Sequence, residues 1–332
     1  MLKSSDAASA APGLADVEAA AKRIFGQAQR TPLLHYPELD RLLGTRAFVK
    51  PECLQVTGSF KFRGAYNKIK SALEGGAKVP GVVAFSSGNH AQGVAAAASL
   101  LGVPSIIVMP EDAPRIKIAN TKALGGEVKL YDRYKEDREA IARQVARDKG
   151  YLVVPPYDDP AIIAGQGTIG LEIVEDLARM GLAPDVVLAP CSGGGLISGI
   201  ATAVKAHHPD ARVYACEPAR FDDTTRSLAA GKRLENSGSE KSICDALLSK
   251  SPGEITFPIN QRLLAGGLTA SDDEALSAVA FAARRLKLVV EPGGAAALAA
   301  AMQGRAPKPA KTIVIVCSGG NIDDDMLRKA LA

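Results

Sequence analysis

Short apolar runs rich in β-branched residues alternate along the chain with longer stretches in which apolar positions recur every three or four residues. The short runs predict buried strands, and the longer stretches predict amphipathic helices. Strands are predicted at 81–85, 105–109, 127–131, 185–189, 212–217 and 312–317. Helices are predicted at 91–101, 116–124, 138–148, 168–180, 197–206 and 274–286. Apolar strands alternating with helices indicate an α/β fold with parallel sheets covered on both faces.

The domain organisation follows from the length and from one cluster of prolines. A chain of 332 residues suggests two domains. Pro155, Pro156 and Pro160 interrupt the pattern after a first set of strand and helix units. We therefore expect a small domain at 81–155 and a large domain formed by 1–80 and 156–332. Ordered structure is expected to begin near Leu14, after a frayed Ala/Ser-rich start.

Composition narrows the class of protein. The 40 Lys and Arg residues nearly balance the 36 Asp and Glu residues, which argues against nucleic acid as a partner. Five widely spaced cysteines predict neither a disulfide framework nor a metal knuckle, and four histidines without metal spacing argue against zinc. No secretory signal and no run long enough to span a bilayer is apparent in the sequence. We expect a cytoplasmic protein without a membrane partner.

Three glycine-containing loops, 86–90, 192–196 and 318–321, each follow a predicted strand. Ligands of doubly wound sheets bind beyond the carboxyl ends of the strands, so these loops are expected to face one crevice. The middle loop runs into a helix, where free N–H groups and the helix dipole favour a phosphate. It lacks the dinucleotide fingerprint because position 198 is Ser, and a tight turn without a ligand explains it as well.

Lys61 lies at a predicted helix start in SFKFRGA, between Phe60 and Phe62. Partial desolvation and the positive end of the helix dipole would both lower the pKa of this amine. A lysine with a lowered pKa can form a Schiff base. A surface lysine whose stem lies along apolar neighbours is the alternative.

Five motifs in order resemble one known family. They are SFKFRGA, SSGNHAQG, AGQGTIG, SGGGL and CSGGN, and the resemblance extends from about residue 31 to residue 323. This arrangement resembles the fold-type II pyridoxal-phosphate enzymes, and within them the serine/threonine dehydratase and serine racemase group. The resemblance implies a two-domain α/β fold similar to the tryptophan synthase β subunit, with pyridoxal 5′-phosphate as the cofactor.

The resemblance also implies roles for individual residues around the cofactor. Lys61 would hold the cofactor and later remove the substrate Cα proton, with Phe60 beside it, and Asn89 would bind the phenolic oxygen. Ser318 would face the pyridine nitrogen. Its hydroxyl can donate a hydrogen bond without transferring a proton, which weakens the electron sink and favours elimination over transamination. The implied phosphate cradle consists of Ser192, Gly193, Gly194, Gly195 and Leu196.

The substrate carboxylate is expected at the helix start formed by Ser86, Ser87, Asn89 and His90. The two serines could instead cap the helix, and His90 could be a packed histidine. In the racemase group, the serine matching Ser87 delivers a proton to the opposite face of the cofactor. Arg138 resembles a residue at the active-site mouth and could meet a second substrate carboxylate, or it is a solvated helix arginine.

A cation site is implied in CEPARFDD. In the resembling group, a carboxylate, a backbone carbonyl and a second carboxylate at the spacing of Glu217, Phe221 and Asp223 bind a cation, and oxygen ligands suit Mg²⁺ or another hard cation. A solvated acidic loop is the alternative. One motif departs from many relatives, because Ala246 stands where they have glycine, which leaves the substrate range open.

These observations predict a dehydratase (ammonia-lyase) that converts L-serine or L-threonine to the 2-oxo acid and ammonia. Serine racemisation and dehydration of 3-hydroxyaspartate are the enzymatic alternatives. A small-molecule-binding protein on the same fold is the non-enzymatic one. The family resemblance favours a homodimer, and the chain leaves no room for an added regulatory domain after the last motif.

Overall fold

The computed structural model describes residues 11–113 and 115–332. The predicted fraying of the first dozen residues therefore falls almost entirely outside the described part of the chain. Thirteen α-helices are described: α1 Leu14–Ile24, α2 Pro37–Leu43, α3 Lys61–Glu74, α4 Asn89–Leu100, α5 Arg115–Ala123, α6 Arg138–Lys149, α7 Pro160–Arg179, α8 Gly195–His207, α9 Asp223–Ala230, α10 Thr256–Leu263, α11 Asp272–Phe281, α12 Ala296–Met302 and α13 Asp324–Leu331.

The ten described strands are β1 Leu34–His35, β2 Arg46–Pro51, β3 Val82–Phe85, β4 Ser105–Pro110, β5 Glu127–Tyr131, β6 Leu152–Val153, β7 Val186–Pro190, β8 Arg212–Pro218, β9 Gly266–Ala270 and β10 Thr312–Cys317. All six predicted strands are present within one residue at each end. Of the ten strands, six lie in a sheet of order β1-β2-β10-β7-β8-β9 and four in a sheet of order β5-β4-β3-β6. Only the β1–β2 pair is antiparallel among the described strands. The α/β prediction is confirmed.

Both faces of the larger sheet are covered at its centre, which explains the uninterrupted apolar runs of β7 and β10. In β10, Ile313 and Ile315 pack into one core with α11 and α12. The alternate residues Val314 and Val316 pack into a second core with α7 and α8. Because side chains alternate between the faces of a strand, successive positions of a strand covered on both sides are mostly apolar.

The smaller sheet has the same construction. Val82 and Ala84 of β3 pack toward α4, while Val83 and Phe85 pack toward α6. The strands of this sheet all fall between residues 82 and 153, and those of the larger sheet fall outside that range. The division into domains at 81–155 and at 1–80 plus 156–332 stays a prediction, and this distribution of strands is compatible with it.

The AGQGTIG motif is a packing motif within α7. A Cβ atom added to Gly165 would lie 2.6 Å from the Cα atom of Gly64 in α3, and one added to Gly199 in α8 would lie 2.3 Å from the carbonyl oxygen of Ile163. These helices therefore touch through their backbones. Helix α7 begins eight residues before the predicted start at 168, because glycines that resemble a loop in the sequence serve this close approach.

Within the described residues, no helix is both long and apolar enough to cross a bilayer.

Candidate active site

Lys61 is the first residue of α3 and lies next to the carboxyl end of β10. The preceding loop is tied to that end, because the backbone N–H of Phe60 donates to the Ser318 carbonyl at 3.1 Å and Ser59 pairs with Gly319. The loop that carries Lys61 and the loop that carries Ser318 therefore lie side by side at the carboxyl end of β10.

The Lys61 amine is withdrawn from water. Its Nζ donates to the Pro156 carbonyl at 2.7 Å and lies 5.0 Å from the centre of the Phe60 ring. Burial lowers the pKa of this amine to about 8. A substantial fraction of the amine is therefore neutral near physiological pH, and a neutral amine is the form that attacks an aldehyde.

The glycine loop at the start of α8 presents unused hydrogen-bond donors. In the described part of the chain, no group accepts from the backbone N–H groups of Ser192 through Leu196. Gly194 has a φ of 96°, a left-handed conformation that favours glycine. The ring of Tyr157 covers the loop, since a Cβ atom on Gly193 would lie 2.3 Å from it. Free donors at a helix N-terminus form a site for a phosphate.

Ser318 follows β10 and is buried. Its backbone N–H donates to the Gly294 carbonyl at 3.2 Å, and its carbonyl accepts from Phe60. Both bonds fix the backbone and leave the hydroxyl without a protein partner among the described residues. A neutral hydroxyl fixed beside Lys61 fits the predicted contact with a pyridine nitrogen.

Asn89 begins α4 and its amide is held at both ends. Its Nδ2 donates to Glu291 Oε1 at 2.6 Å, and its Oδ1 accepts from Asn321 Nδ2 at 2.7 Å. An ideal Cβ atom on Gly319 would lie 3.1 Å from the Asn89 nitrogen, so the predicted phenolic-oxygen ligand lies against the loop that begins with Ser318.

The two serines of SSGNH do not cap α4, so that alternative is wrong. The N-cap residue is Gly88, without a side-chain cap. The Ser86 hydroxyl accepts from the Gly88 N–H at 3.2 Å, and the Ser87 hydroxyl makes no hydrogen bond within the described residues. The Ser87 side chain is therefore available to a ligand, as the predicted substrate role requires.

His90 is a packed histidine. Its Nε2 donates to the Val154 carbonyl at 2.9 Å, and its side chain is buried. Burial, reinforced by the nearby charge of Lys61, lowers the pKa of His90 to about 3. The imidazole therefore stays neutral, and its contact with Val154 supports the loop that includes Pro156.

Arg138 is exposed at the first turn of α6, where its guanidinium lies 5.7 Å from the centre of the Phe85 ring. Phe85 ends β3 and immediately precedes Ser86. The structure thus places Arg138 near the serine loop, and no carboxylate within the described residues forms an ion pair with it.

Glu217 and Asp223 form a buried acidic pair at the end of β8 and the start of α9. Glu217 accepts from the N–H groups of Thr224 and Thr225, whereas Asp223 Oδ2 is buried without a partner among the described residues. Burial, and for Glu217 the charge of Asp223, raises the pKa of Glu217 to about 8, and burial raises the pKa of Asp223 to about 6. With Phe221 in the intervening turn, the unpartnered oxygen fits a cation.

A buried ion network supports the Lys61 helix and was not predicted. Arg63 donates to Glu52 at 2.8 Å and to Glu172 at 2.6 Å, and Lys50 donates to Glu172 at 2.6 Å. Removing one partner of such a network leaves an unpaired buried charge and costs about 3–5 kcal/mol. The network therefore anchors α3 two residues from Lys61.

Sequence reasoning gave no role to Asn321 and Tyr157, and it left open whether Glu291, in a motif that resembles a loop near the cofactor, is only structural. Asn321 stands in the quoted CSGGN motif, and a glycine-loop asparagine is a signal that could have been used. Ala246, the departure from many relatives, is accommodated by a glycine, because a Cβ atom on Gly293 would lie 3.2 Å from the Ala246 methyl.

The donor set fits pyridoxal phosphate. A desolvated amine, a run of free amides, a buried hydroxyl without a partner among the described residues and an oriented amide lie on segments that contact one another. They match the aldehyde, the phosphate, the ring nitrogen and the ring oxygen of that cofactor.

The chain is similar over nearly its whole length to known amino-acid ammonia-lyases and racemases. L-threo-3-hydroxyaspartate ammonia-lyase from Saccharomyces cerevisiae is 40% identical over 312 residues, 94% of each chain. Serine racemase from Schizosaccharomyces pombe is 39% identical, over 94% of this chain and 95% of that protein. The crystal structure of a threonine deaminase from T.th. has a TM-score of 0.87 and 46% identity, and the match covers 94% of this chain and 99% of that one.

The similarity is also found at the level of the family. Residues 24–319, which include the lysine, the glycine loop and the buried serine, match the family described as "Pyridoxal-phosphate dependent enzyme". This range contains both sheets and every helix from α2 to α12. The fold and the family resemblance drawn from the five motifs are thereby confirmed, and the chain belongs to the pyridoxal-phosphate dependent enzymes.

Proposed function

We propose that the protein is an ammonia-lyase that converts L-serine or L-threonine to the 2-oxo acid and ammonia by β-elimination. The observation that carries this proposal is the desolvated Lys61 amine, which shares one cleft with an anion-binding glycine loop and a neutral hydroxyl at Ser318. Bound pyridoxal phosphate supplies an electron sink for negative charge at the substrate Cα. The side chains decide what becomes of that charge.

Lys61 is the proposed base. Its pKa near 8 lets the amine accept a proton from the substrate Cα and return it without a large energetic penalty. The Pro156 carbonyl, which accepts from Nζ at 2.7 Å, fixes the direction of the amine. The glycine loop would hold the cofactor phosphate, and Phe60 lies beside the amine.

Ser318 favours elimination. A hydroxyl leaves the ring nitrogen unprotonated, so negative charge at Cα is stabilised less than beside a carboxylate. Rapid loss of a β-hydroxyl then competes well with slower reactions. Ser86, Ser87 and the start of α4 would bind the substrate carboxylate, which leaves the β-substituent free to depart.

The names of two relatives correspond to another substrate and another reaction. One is named a 3-hydroxyaspartate ammonia-lyase and another a serine racemase, which correspond to the two enzymatic alternatives. Arg138 lies near the serine loop and forms no ion pair with the described residues, so it is the side chain available to a second carboxylate.

The Arg138→Ala variant tests this specificity. We expect kcat/KM for 3-hydroxyaspartate to fall about tenfold to hundredfold, because a charge-assisted contact is lost, while serine elimination stays within about twofold. Arg143→Ala is the matched control, since Arg143 is exposed on the same helix and pairs with Glu139. Equal losses on both substrates would remove the second-carboxylate role.

A panel of amino acids assayed for ammonia release decides between the substrates. Chiral analysis of the remaining substrate detects racemisation in the same samples. If the purified protein shows no visible absorbance of the kind that borohydride bleaches, it is the non-enzymatic binder instead.

We further propose that the protein is a homodimer in the cytoplasm. We also propose that it binds a divalent cation at Glu217, Phe221 and Asp223.

A further inference from the structure

Glu291 is a buried carboxylate that pairs with no cationic side chain in the described part of the chain. It is 4% exposed, and its Oε1 accepts from Asn89 Nδ2 at 2.6 Å. An ideal Cβ atom on Gly319 would lie 2.2 Å from this oxygen, so the approach requires glycine at that position. Within the described residues, no Lys, Arg or His side chain forms an ion pair with Glu291.

Two other buried carboxylates, in the network below the Lys61 helix, are compensated by cations. Glu52 and Glu172 are paired with Arg63 and Lys50 at 2.6–2.8 Å. Burial of an uncompensated charge is unfavourable, so a carboxylate retained without a partner calls for a functional explanation. The contact of Glu291 with Asn89 supplies one, because Asn89 is the proposed ligand of the cofactor ring oxygen.

The Asn89 amide is held from two sides. Asn321 donates to Asn89 Oδ1 at 2.7 Å and also donates to the Thr57 carbonyl at 2.8 Å, which fixes Asn321 itself. Glu291 accepts a hydrogen bond from one N–H of Asn89 Nδ2. An amide nitrogen carries two hydrogens, so the second one remains free for a ligand.

The charged groups that face Glu291 oppose its ionisation. Burial is the largest cause of a raised pKa, followed by the charge of Asp245, with a smaller contribution from Asp323. The hydrogen bond from Asn89 and the charge of Lys117 lower the pKa, but Lys117 is paired with Asp245 at 2.9 Å. Together these bring the pKa of Glu291 to about 8. Its charge therefore changes in the range where enzymes are assayed.

We propose that Glu291 is a positioning residue that, in its ionised form, fixes the Asn89 amide so that the second N–H is presented to the cofactor ring oxygen. The inference rests on the proposed role of Asn89. A carboxylate accepts this hydrogen bond with roughly twice the strength of a neutral carboxyl group. Protonation of Glu291 loosens the amide, and ionisation at higher pH tightens it.

The Glu291→Gln holoenzyme tests the inference, because glutamine keeps the shape and an accepting oxygen but cannot ionise. At pH about 6.5 the parent and the variant both present a neutral acceptor, so their Kd values for pyridoxal phosphate should agree. At pH about 9 the variant should bind the cofactor about tenfold more weakly than the parent. The visible absorbance of the bound cofactor should show a pH-dependent change in the parent that is absent in the variant, at a pH below the pKa of Glu291 in the free protein, because the ionised form binds the cofactor more tightly.

Three further variants separate the possible failures. Glu127→Gln, on an exposed edge strand, should behave as the parent at both pH values. Asn321→Ala should weaken cofactor binding at both pH values and keep the pH-dependent absorbance change, since Glu291 is still present. If Asn89→Ala binds the cofactor as tightly as the parent, the proposed role of Asn89 is wrong. If Asn89→Ala binds weakly while Glu291→Gln matches the parent at the higher pH, the role of Glu291 is overturned.

Discussion

At the scale of single residues, the proposed chemistry depends on polar side chains that are shielded from water and lack an oppositely charged or side-chain partner among the described residues. The Lys61 amine has one carbonyl contact and no carboxylate among the described residues, and burial lowers its pKa to about 8. The Ser87 and Ser318 hydroxyls likewise have no protein partner in the described part of the chain. Such groups are available to a bound molecule, whereas the fully paired Arg63, two residues later in the same helix, is structural.

Lys61→Ala should abolish turnover and leave the fold intact. We expect ammonia release from serine to fall by at least about 10³-fold, because the proposed base and cofactor attachment are lost together. The unfolding free energy should fall by only about 1 kcal/mol, since one hydrogen bond to Pro156 is removed. Lys70→Ala, which changes a half-buried lysine of the same helix that pairs with Glu74, is the control. Ammonia release at the parental rate would disprove the assignment.

Ser87→Ala should separate racemisation from elimination. Racemisation needs a second group to deliver a proton to the opposite face, whereas elimination needs only the lysine and a route for the hydroxyl. We expect D-serine formation and D-serine elimination to fall about 10²-fold, and L-serine elimination much less. The comparison variant Ser86→Ala should slow all three reactions together, because Ser86 holds the loop through Gly88.

Chiral chromatography and ammonia assays on each enantiomer measure these rates. If the Ser87→Ala variant loses the three reactions to the same extent, Ser87 positions the substrate or the loop and is not the second acid or base.

At the scale of elements, the site is built where β10 and β7 end and α3, α4 and α8 begin. Helix N-termini present free N–H groups, and the carboxyl ends of parallel strands bring the loops together. The glycine loop before α8 is the clearest example. It has no room for a side chain, because the ring of Tyr157 lies on one side and Thr256 and Asn260 lie on the other.

Gly194→Ala should therefore weaken cofactor binding. A residue with a side chain at a φ of 96° is strained by about 1–2 kcal/mol, and its Cβ atom would lie 2.7 Å from Asn260 Nδ2. Gly181→Ala is the matched control, since Gly181 also has a positive φ but nothing within 4 Å. We expect both variants to have a lower Tm than the parent. Only Gly194→Ala should raise the Kd for pyridoxal phosphate. Equal cofactor affinity in the two variants would contradict a phosphate site here.

At the scale of the whole molecule, the structure contains buried acidic groups that a bound cation would compensate. Glu217 and Asp223 lie together at the end of β8, with one Asp223 oxygen unpartnered among the described residues. A cation that binds only the folded state at about a hundred times its Kd adds about 2.7 kcal/mol to the unfolding free energy. We expect chelator to lower the Tm of the protein and added Mg²⁺ or Ca²⁺ to restore it.

Asp223→Asn should make the Tm insensitive to chelator and cation, while Asp222→Asn, whose side chain pairs with Arg226 at 2.7 Å, should keep the response. Differential scanning fluorimetry measures both. A parent protein whose Tm responds to neither chelator nor added cation has no divalent site at these residues.

The apolar pattern located six strands, and five of them are buried along most of their length, which local hydropathy records. The sixth, β5, is an edge strand that is mostly exposed, and alternate apolar residues located it. The pattern missed β1 and β6, which have two residues each, and the longer strands β2 and β9. Strand β2 contains Arg46 and Lys50, and Lys50 is buried only because Glu172, 122 residues away, neutralises it. Strand β9 contains two glycines at its start and is only partly buried. Polar or glycine-rich strands depend on distant partners, which a local pattern does not reveal.

The sequence by itself determined the α/β class and the family, and it supplied the proposed site residues, because these depend on local periodicity and on motifs of a few adjacent residues. Tertiary structure alone decided which side chains meet. The bonds from Lys61 to Pro156, from Asn89 to Glu291 and from Asn321 to Asn89 join residues separated by 95, 202 and 232 positions. Burial and the pKa values it shifts arise only when such distant segments exclude water from a common cleft.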